Sequence, residues 1–204
     1  WFHAIRSNHE EMFMYLYQNG VLNEELVEAN RKNGMGWILE QSKDMLDDLR
    51  DAFEKLPTTI EIETPEGRIG FVHADVPLGM DWDTFKKALD SEDKQTTRIA
   101  SWGRKRLTEK ERGGVDGITR VFVGHTPVAD GPRNLGNVFF VDTGAVFKMI
   151  KESTRDFYMA LIDIRAGTDD ILKPEPTNNP LIRIAMAKPD APKNMPPAPK
   201  PPSL

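Results

Sequence analysis

The chain has 204 residues, enough for one domain with accessories and a sizeable buried core. A hydrophobic share of 39% with 29% charged residues fits a soluble globular protein, and a net charge of -5 argues against generic nucleic-acid binding. Cysteine is absent, which excludes disulfides, thiol chemistry and cysteine metal sites and accords with a reducing cytoplasm. No apolar run reaches the about 18 residues that a spanning helix requires, so no membrane role is expected.

The opening, WFHAIRSNHE, lacks an initiating Met and reads as the start of a fragment. Trp1 to Arg6 has the pattern of a short strand, and Ser7-Asn8-His9-Glu10 that of a polar turn. Glu11 to Tyr17 is apolar enough to begin a buried helix, which Asn19-Gly20 stops. Leu22 to Lys32 is expected to be helical with Asn23 as its cap, and Asn33-Gly34-Met35-Gly36 breaks it. From the cap residue Ser42, Met45, Leu46, Leu49, Phe53 and Leu56 recur at helical spacing until Pro57. Thr58 to Glu63 alternates, and Pro65-Glu66-Gly67 turns it into the apolar run Ile69 to Val72, predicting an antiparallel hairpin. Trp82 to Leu89 predicts another helix. The segment from Ser91 to Gly117 is polar apart from Ile99 to Arg104, and Phe157 to Ile164 predicts a final strand. Beyond Lys173 prolines accumulate. Residues 173–204 are expected to be a disordered, solubilising tail with an apolar interruption at 181–186, and docking through this tail is the alternative.

Two further apolar runs each end in a small polar cluster. Val121 to Val123 leads into Gly124-His125-Thr126-Pro127, and Val138 to Val141 leads into Asp142-Thr143-Gly144. Ile69 to Val72 ends in the same way, at His73-Ala74-Asp75. Continuous β-branched and aromatic runs suit strands buried on both faces. Three strands therefore each deliver a His or an Asp at one end, where a rigid scaffold presents its chemistry. Of the four histidines, His9, His73 and His125 lie in such turn-rich clusters. One isolated histidine is ordinarily structural, but three at equivalent positions favour a metal site. With Asn8 the ligand set is oxygen and imidazole, which suits manganese, iron or zinc better than calcium.

Asn8-His9-Glu10, His73-Ala74-Asp75, Gly124-His125-Thr126-Pro127 and Asp142-Thr143-Gly144-Ala145-Val146-Phe147 resemble, in order and spacing, the later motifs of the phosphoprotein phosphatase family of binuclear metallophosphatases. The likeness is nearest to its bacteriophage lambda and bacterial serine/threonine phosphatase branch, and it runs from Trp1 to about Ile164, with Trp102-Gly103-Arg104 between the second and third motifs. The resemblance implies an α/β calcineurin-like metallophosphatase fold, a central two-sheet β-sandwich flanked by helices, over residues 1–166. It implies a cytoplasmic enzyme that hydrolyses phosphoserine or phosphothreonine proteins, or small phosphoesters. Asn8, His73 and His125 match three ligands of one of two divalent ions, manganese first, with iron or zinc as alternatives. His9 matches the histidine that protonates the leaving alcohol, and Arg104 an arginine that grips phosphate. In the family, two cations share a hydroxide whose pKa falls near neutrality for in-line attack.

Two departures qualify the match. The family's earlier motifs, GDxHG and GDxxDRG, do not occur in this sequence, so the chain carries half a binuclear site and is expected to be weakly active or inactive alone. Ser7 stands where the family has glycine, which favours a backbone with positive φ and a strain of about 1–2 kcal/mol over a negative φ at which serine fits unstrained and its hydroxyl bonds a nearby carboxylate. The rival readings are a diadenosine-tetraphosphate hydrolase, which shares the motif order, and an inactive remnant that serves as a binding protein.

Overall fold

A computed structural model describes residues 2–150 and 156–188, with side chains omitted for 149 and 150. The chain opens with a helical layer. Helix α1 (Asn8–Leu16) runs into a short hairpin, β1 (Tyr17–Gln18) and β2 (Val21–Leu22). Helix α2 (Glu24–Ala29) and two 3-10 turns (Arg31–Asn33 and Gly36–Glu40) follow, and then α3 (Lys43–Glu54). Phe13, Leu16, Val27, Met35, Ile38 and Leu46 close this layer around their own apolar core. Asn23 and Ser42 cap as expected, accepting from the Leu26 and Met45 amides.

The hairpin β3 (Thr59–Thr64) and β4 (Gly67–Val72) starts the main sheet. Three helices come next, α4 (Trp82–Asp90), α5 (Lys94–Trp102) and α6 (Lys105–Glu109). Strands β5 (Arg120–Val123), β6 (Arg133–Leu135) and β7 (Val138–Phe140) complete a mixed sheet of order β3-β4-β5-β7-β6. Its three central strands, β4, β5 and β7, are parallel neighbours. They read as unbroken apolar runs because both faces are covered. Val72, Val121, Val123, Val138 and Phe140 pack under Trp82, Phe85 and Ala100 of α4 and α5. Ile69, Phe122 and Phe139 point the other way, onto Ala166 and Ile171. Gly70 has no choice of residue: a Cβ there would sit 2.4 Å from the Trp82 ring.

Helix α7 (Ala145–Ile150) follows the main sheet. Then β8 (Met159–Ile162), α8 (Thr168–Leu172), β9 (Glu175–Pro176) and β10 (Ile182–Ala185) form a second sheet of order β8-β10-β9, with α8 beside it. The architecture is α/β with mixed sheets and helices.

Three expectations are corrected, and one segment left without an element gains its structure. Residues 2–6 form no strand, since no neighbouring strand pairs with them among the described residues; Arg6 is tied by its amide to the Pro57 carbonyl at 2.8 Å and by its guanidinium to the Glu54 carbonyl at 2.6 Å. Asn8, His9 and Glu10 are not a turn but the first turn of α1. The polar region after Ser91 carries two helices, α5 being capped by Asp93. The part of the expected tail among the described residues, 173–188, is ordered: β10 falls in the apolar interruption at 181–186 and pairs in parallel with β8, Ile182 opposite Met159. Residues 189–204 lie outside the described residues. No helix among the described residues is long and apolar enough to cross a membrane.

Candidate metal centre

Parallel pairing puts the carboxyl ends of β4, β5 and β7 along one edge of the sheet, so His73, His125 and Asp142 emerge side by side. The Gly124 amide donates to the His73 carbonyl at 2.8 Å and joins the first two loops. The amino end of α1 meets this edge from the helical layer and brings the buried Asn8 amide with it. His73 Nε2 lies 2.8 Å from Asn8 Oδ1 and 3.2 Å from His125 Nδ1. Two ligands of one ion at about 2.0–2.2 Å, subtending a right angle, stand about 3 Å apart, so Asn8 Oδ1 and His125 Nδ1 each stand from His73 Nε2 at the spacing of ligands that share an ion. Among the described residues, no group of three or more His, Cys, Asp or Glu side chains could hold a metal ion; here the third donor is an amide.

The two rings are kept neutral. Burial lowers the His73 imidazole to about 4, with the charges of His9 and Arg104 adding and Glu10 opposing. Burial, then Arg104, His73 and His9, lower His125 to about 4 as well. A neutral imidazole offers a lone pair to a cation, which an imidazolium cannot. These shifts also set a pH dependence. Between about pH 6.5 and 4 the unfolded chain takes up protons that the folded rings refuse, so stability is complete above that window and falls as pH is lowered through it. Asp75, whose carboxyl burial pushes up, works in the opposite direction. The urea midpoint of the metal-free protein, followed from pH 7 to 4.5, should therefore fall more steeply than that of His73→Gln. An equal slope for the two would show that His73 titrates normally.

His125 is held under strain. Its φ is 65°, a left-handed conformation that residues with a Cβ rarely adopt. The Thr126 amide donates to the Gly124 carbonyl at 2.7 Å, closing a three-residue γ-turn around it. Its Nε2 is buried with no hydrogen-bond partner.

The other expected residues surround the donors unequally. His9 is exposed on α1, near Gly34. In the basic run Arg104-Lys105-Arg106, only Arg104 turns to the site: it is exposed, and its Nη1 donates to Thr126 Oγ1 at 3.0 Å. Lys105 pairs loosely with Glu109 on its own helix. Arg106 is 1% exposed and bound to Asp75, so that strand-end carboxylate is structural and lies outside the donor group. Asp142 accepts from the Gly144 amide at 2.9 Å, which shapes its own loop. Gly103 lets α5 end against this edge, since a Cβ there would lie 2.6 Å from the Ile99 carbonyl and 2.9 Å from Asp75 Cβ.

Ser7 departs from the expectation of strain. Its φ is -105° and ψ 176°, extended backbone open to any residue. It caps α1: its hydroxyl accepts from the His9 amide at 3.1 Å and also bonds the Glu10 carboxylate, which accepts from the Ser7 amide at 2.7 Å. This is a reciprocal capping box. Ser7→Gly should relieve nothing and cost a few tenths of a kcal/mol, or about 1 kcal/mol if the Glu10 contact goes with the hydroxyl. A gain in stability, measured by urea unfolding, would restore the strain argument.

Sequence reasoning gave Glu11 no role, and Thr126 entered only within a motif. Trp102 was noticed only as part of a motif, yet its ring stands edge-on to His125 with centroids 5.7 Å apart. No family model matches the chain.

Proposed function

We propose that this chain belongs to a metal-dependent phosphomonoester hydrolase with a calcineurin-like fold. Its substrates are phosphoserine or phosphothreonine proteins or small phosphoesters. The observation that carries the reading is the convergence of Asn8 Oδ1, His73 Nε2 and His125 Nδ1, from three separate elements, at the spacing of ligands around one ion. A divalent cation held there, manganese first and iron or zinc as alternatives, supplies Lewis acidity toward a phosphoryl oxygen and lowers the pKa of water. The buried Asn8 amide and the two neutral rings bind without adding negative charge that would repel a phosphate. Arg104, exposed beside Thr126, offers a planar guanidinium fork matched to phosphate oxygens. His9, exposed on the first turn of α1, is free to hold a proton for a departing alkoxide, a contribution worth about 10²–10⁴-fold.

The test has two parts. Calorimetry with Mn²⁺ should show one ion bound per chain, and the paramagnetic ion should broaden the His73 and His125 ring signals first. Turnover by the chain alone is expected to be weak, because the donors present serve a single ion. With GDxHG and GDxxDRG motifs supplied upstream, His9→Ala should slow phosphoserine hydrolysis far more than that of p-nitrophenyl phosphate, because nitrophenolate departs without a proton and a serine alkoxide does not. Equal losses on both substrates would remove His9 from the role of acid, and absence of Mn²⁺ binding would remove the metal centre. A second reading, a single-ion binding protein without catalysis, is favoured by the absence, among the described residues, of any group of three or more His, Cys, Asp or Glu side chains that could hold a second ion. Vigorous Mn²⁺-dependent turnover by the isolated chain would exclude it.

A further inference from the structure

Glu11 follows Asn8 by three positions in the first turn of α1, close enough along the helix surface for the two side chains to be neighbours. Its carboxylate reaches out of the helical layer to the end of α5. One oxygen accepts from the hydroxyl of Ser101, a residue only 1% exposed, and the other accepts from the Trp102 indole N–H at 3.2 Å. Both oxygens are thus engaged by residues about 90 positions away in sequence. The Trp102 ring stands at 78° to the His125 ring, 5.7 Å between centroids, in the edge-to-face geometry that aromatic pairs prefer. Trp102 is 40% exposed, and its indole N–H is tied to Glu11.

His125 depends on that wall. A metal-ligating histidine ordinarily donates its second ring N–H to a carboxylate or carbonyl, which fixes the ring. The second nitrogen of His125 has no partner, and its backbone sits at φ 65°. What orients the ring is the hydrogen bond between His73 Nε2 and its own Nδ1 at 3.2 Å, together with edge-to-face contacts to His73 at 5.0 Å and to Trp102.

We propose that Glu11 is a positioning residue for the metal centre described above, a role that rests on the metal reading: it ties the helix bearing Asn8 to Trp102, and through Trp102 holds the His125 ring with Nδ1 turned to His73 Nε2. Glu11→Gln keeps one acceptor oxygen and can satisfy only one of the two donors, so it falls between wild type and Glu11→Ala.

The experiment combines imidazole and indole NMR on the metal-free 204-residue chain with Mn²⁺ calorimetry. In Glu11→Ala the Trp102 indole N–H should exchange faster with water, the His125 ring signals should broaden or double, and Mn²⁺ should bind about 10-fold more weakly, at the lower end of the usual effect of such partners. Glu11→Gln should recover part of each change. In a Trp102→Phe background, which lacks the N–H, Glu11→Ala should alter Mn²⁺ affinity by less than about twofold, the limit within which independent effects add. Unchanged His125 signals and affinity in Glu11→Ala would overturn the proposal. An equal loss of affinity in both backgrounds would do the same, because Glu11 would then act without Trp102. If the wild-type chain takes up no Mn²⁺, the metal reading fails, and the His125 signals of the metal-free variants still decide whether Glu11 orients that ring.

Discussion

Arg106→Met is expected to destabilise the fold by about 3–5 kcal/mol, the cost of leaving a buried charge without its partner. Arg106 and Asp75 are 1% and 2% exposed, and Nε donates to the carboxylate at 2.8 Å. The same guanidinium donates to the carbonyls of Gly113 and Val76, at 2.5 and 3.0 Å. Removing it leaves Asp75 with the Val76 amide at 2.8 Å and the backbone N–H of residue 106, and strands the buried Val76 carbonyl. The damage falls near the donors, because Asp75 follows His73 by two residues and Arg106 follows Arg104 by two. Asp75→Leu combined with Arg106→Met should recover a large part of the loss, since a buried pair replaced by apolar groups of like volume is often neutral or better. Urea unfolding followed by tryptophan fluorescence measures both. A single-variant loss below about 1 kcal/mol would mean that the pair is solvated in solution, as surface pairs are.

Substitution of His125 should separate stability from binding. Either His125→Ala or His125→Gly should weaken Mn²⁺ binding by more than about 100-fold, exceeding what the loss of a merely supporting partner causes. Their stabilities should run in the reverse of the usual order. Alanine ordinarily exceeds glycine by about 0.5–1 kcal/mol within regular structure. At φ 65° the Cβ of alanine costs about 1–2 kcal/mol and glycine escapes it, so His125→Gly should be the more stable of the two. Strain of this kind persists where the surroundings over-determine a residue, here by the γ-turn and the two ring contacts. Alanine proving more stable than glycine would show that the left-handed turn relaxes once the imidazole is gone.

The elements legible in the sequence were those whose signal is local. The hairpin at 59–72 has alternation on one side and turn residues between its strands. The runs at 121–123 and 138–140 are apolar without interruption because helices cover one face of the sheet and α8 the other. Asn23 and Ser42 cap within three residues of themselves. Ser7 was misjudged because the family glycine was taken to report φ, whereas a serine with glutamate three residues on is itself a helix-start signal.

Sequence alone narrowed the candidates: residue types and turn-rich clusters singled out His9, His73 and His125 with Asn8, and the family resemblance chose Asn8, His73 and His125 among them as the ligand set. That they meet within 2.8 and 3.2 Å was decided by tertiary structure, because parallel pairing of β4 with β5 aligns two loops 52 residues apart while α1 arrives from a separate layer. The basic run at 104–106 makes the same division plain. Three adjacent cations look alike in sequence, and the pairing of Arg106 with a carboxylate 31 residues away leaves Arg104 to face the site. Glu11 gave no local sign, since both its partners lie on a helix about 90 residues further on. Periodicity and capping act over one or two turns of chain and are written in consecutive residues. The match of one buried charge, or one ring edge, to another depends on how layers stack, and that is set by the whole core at once.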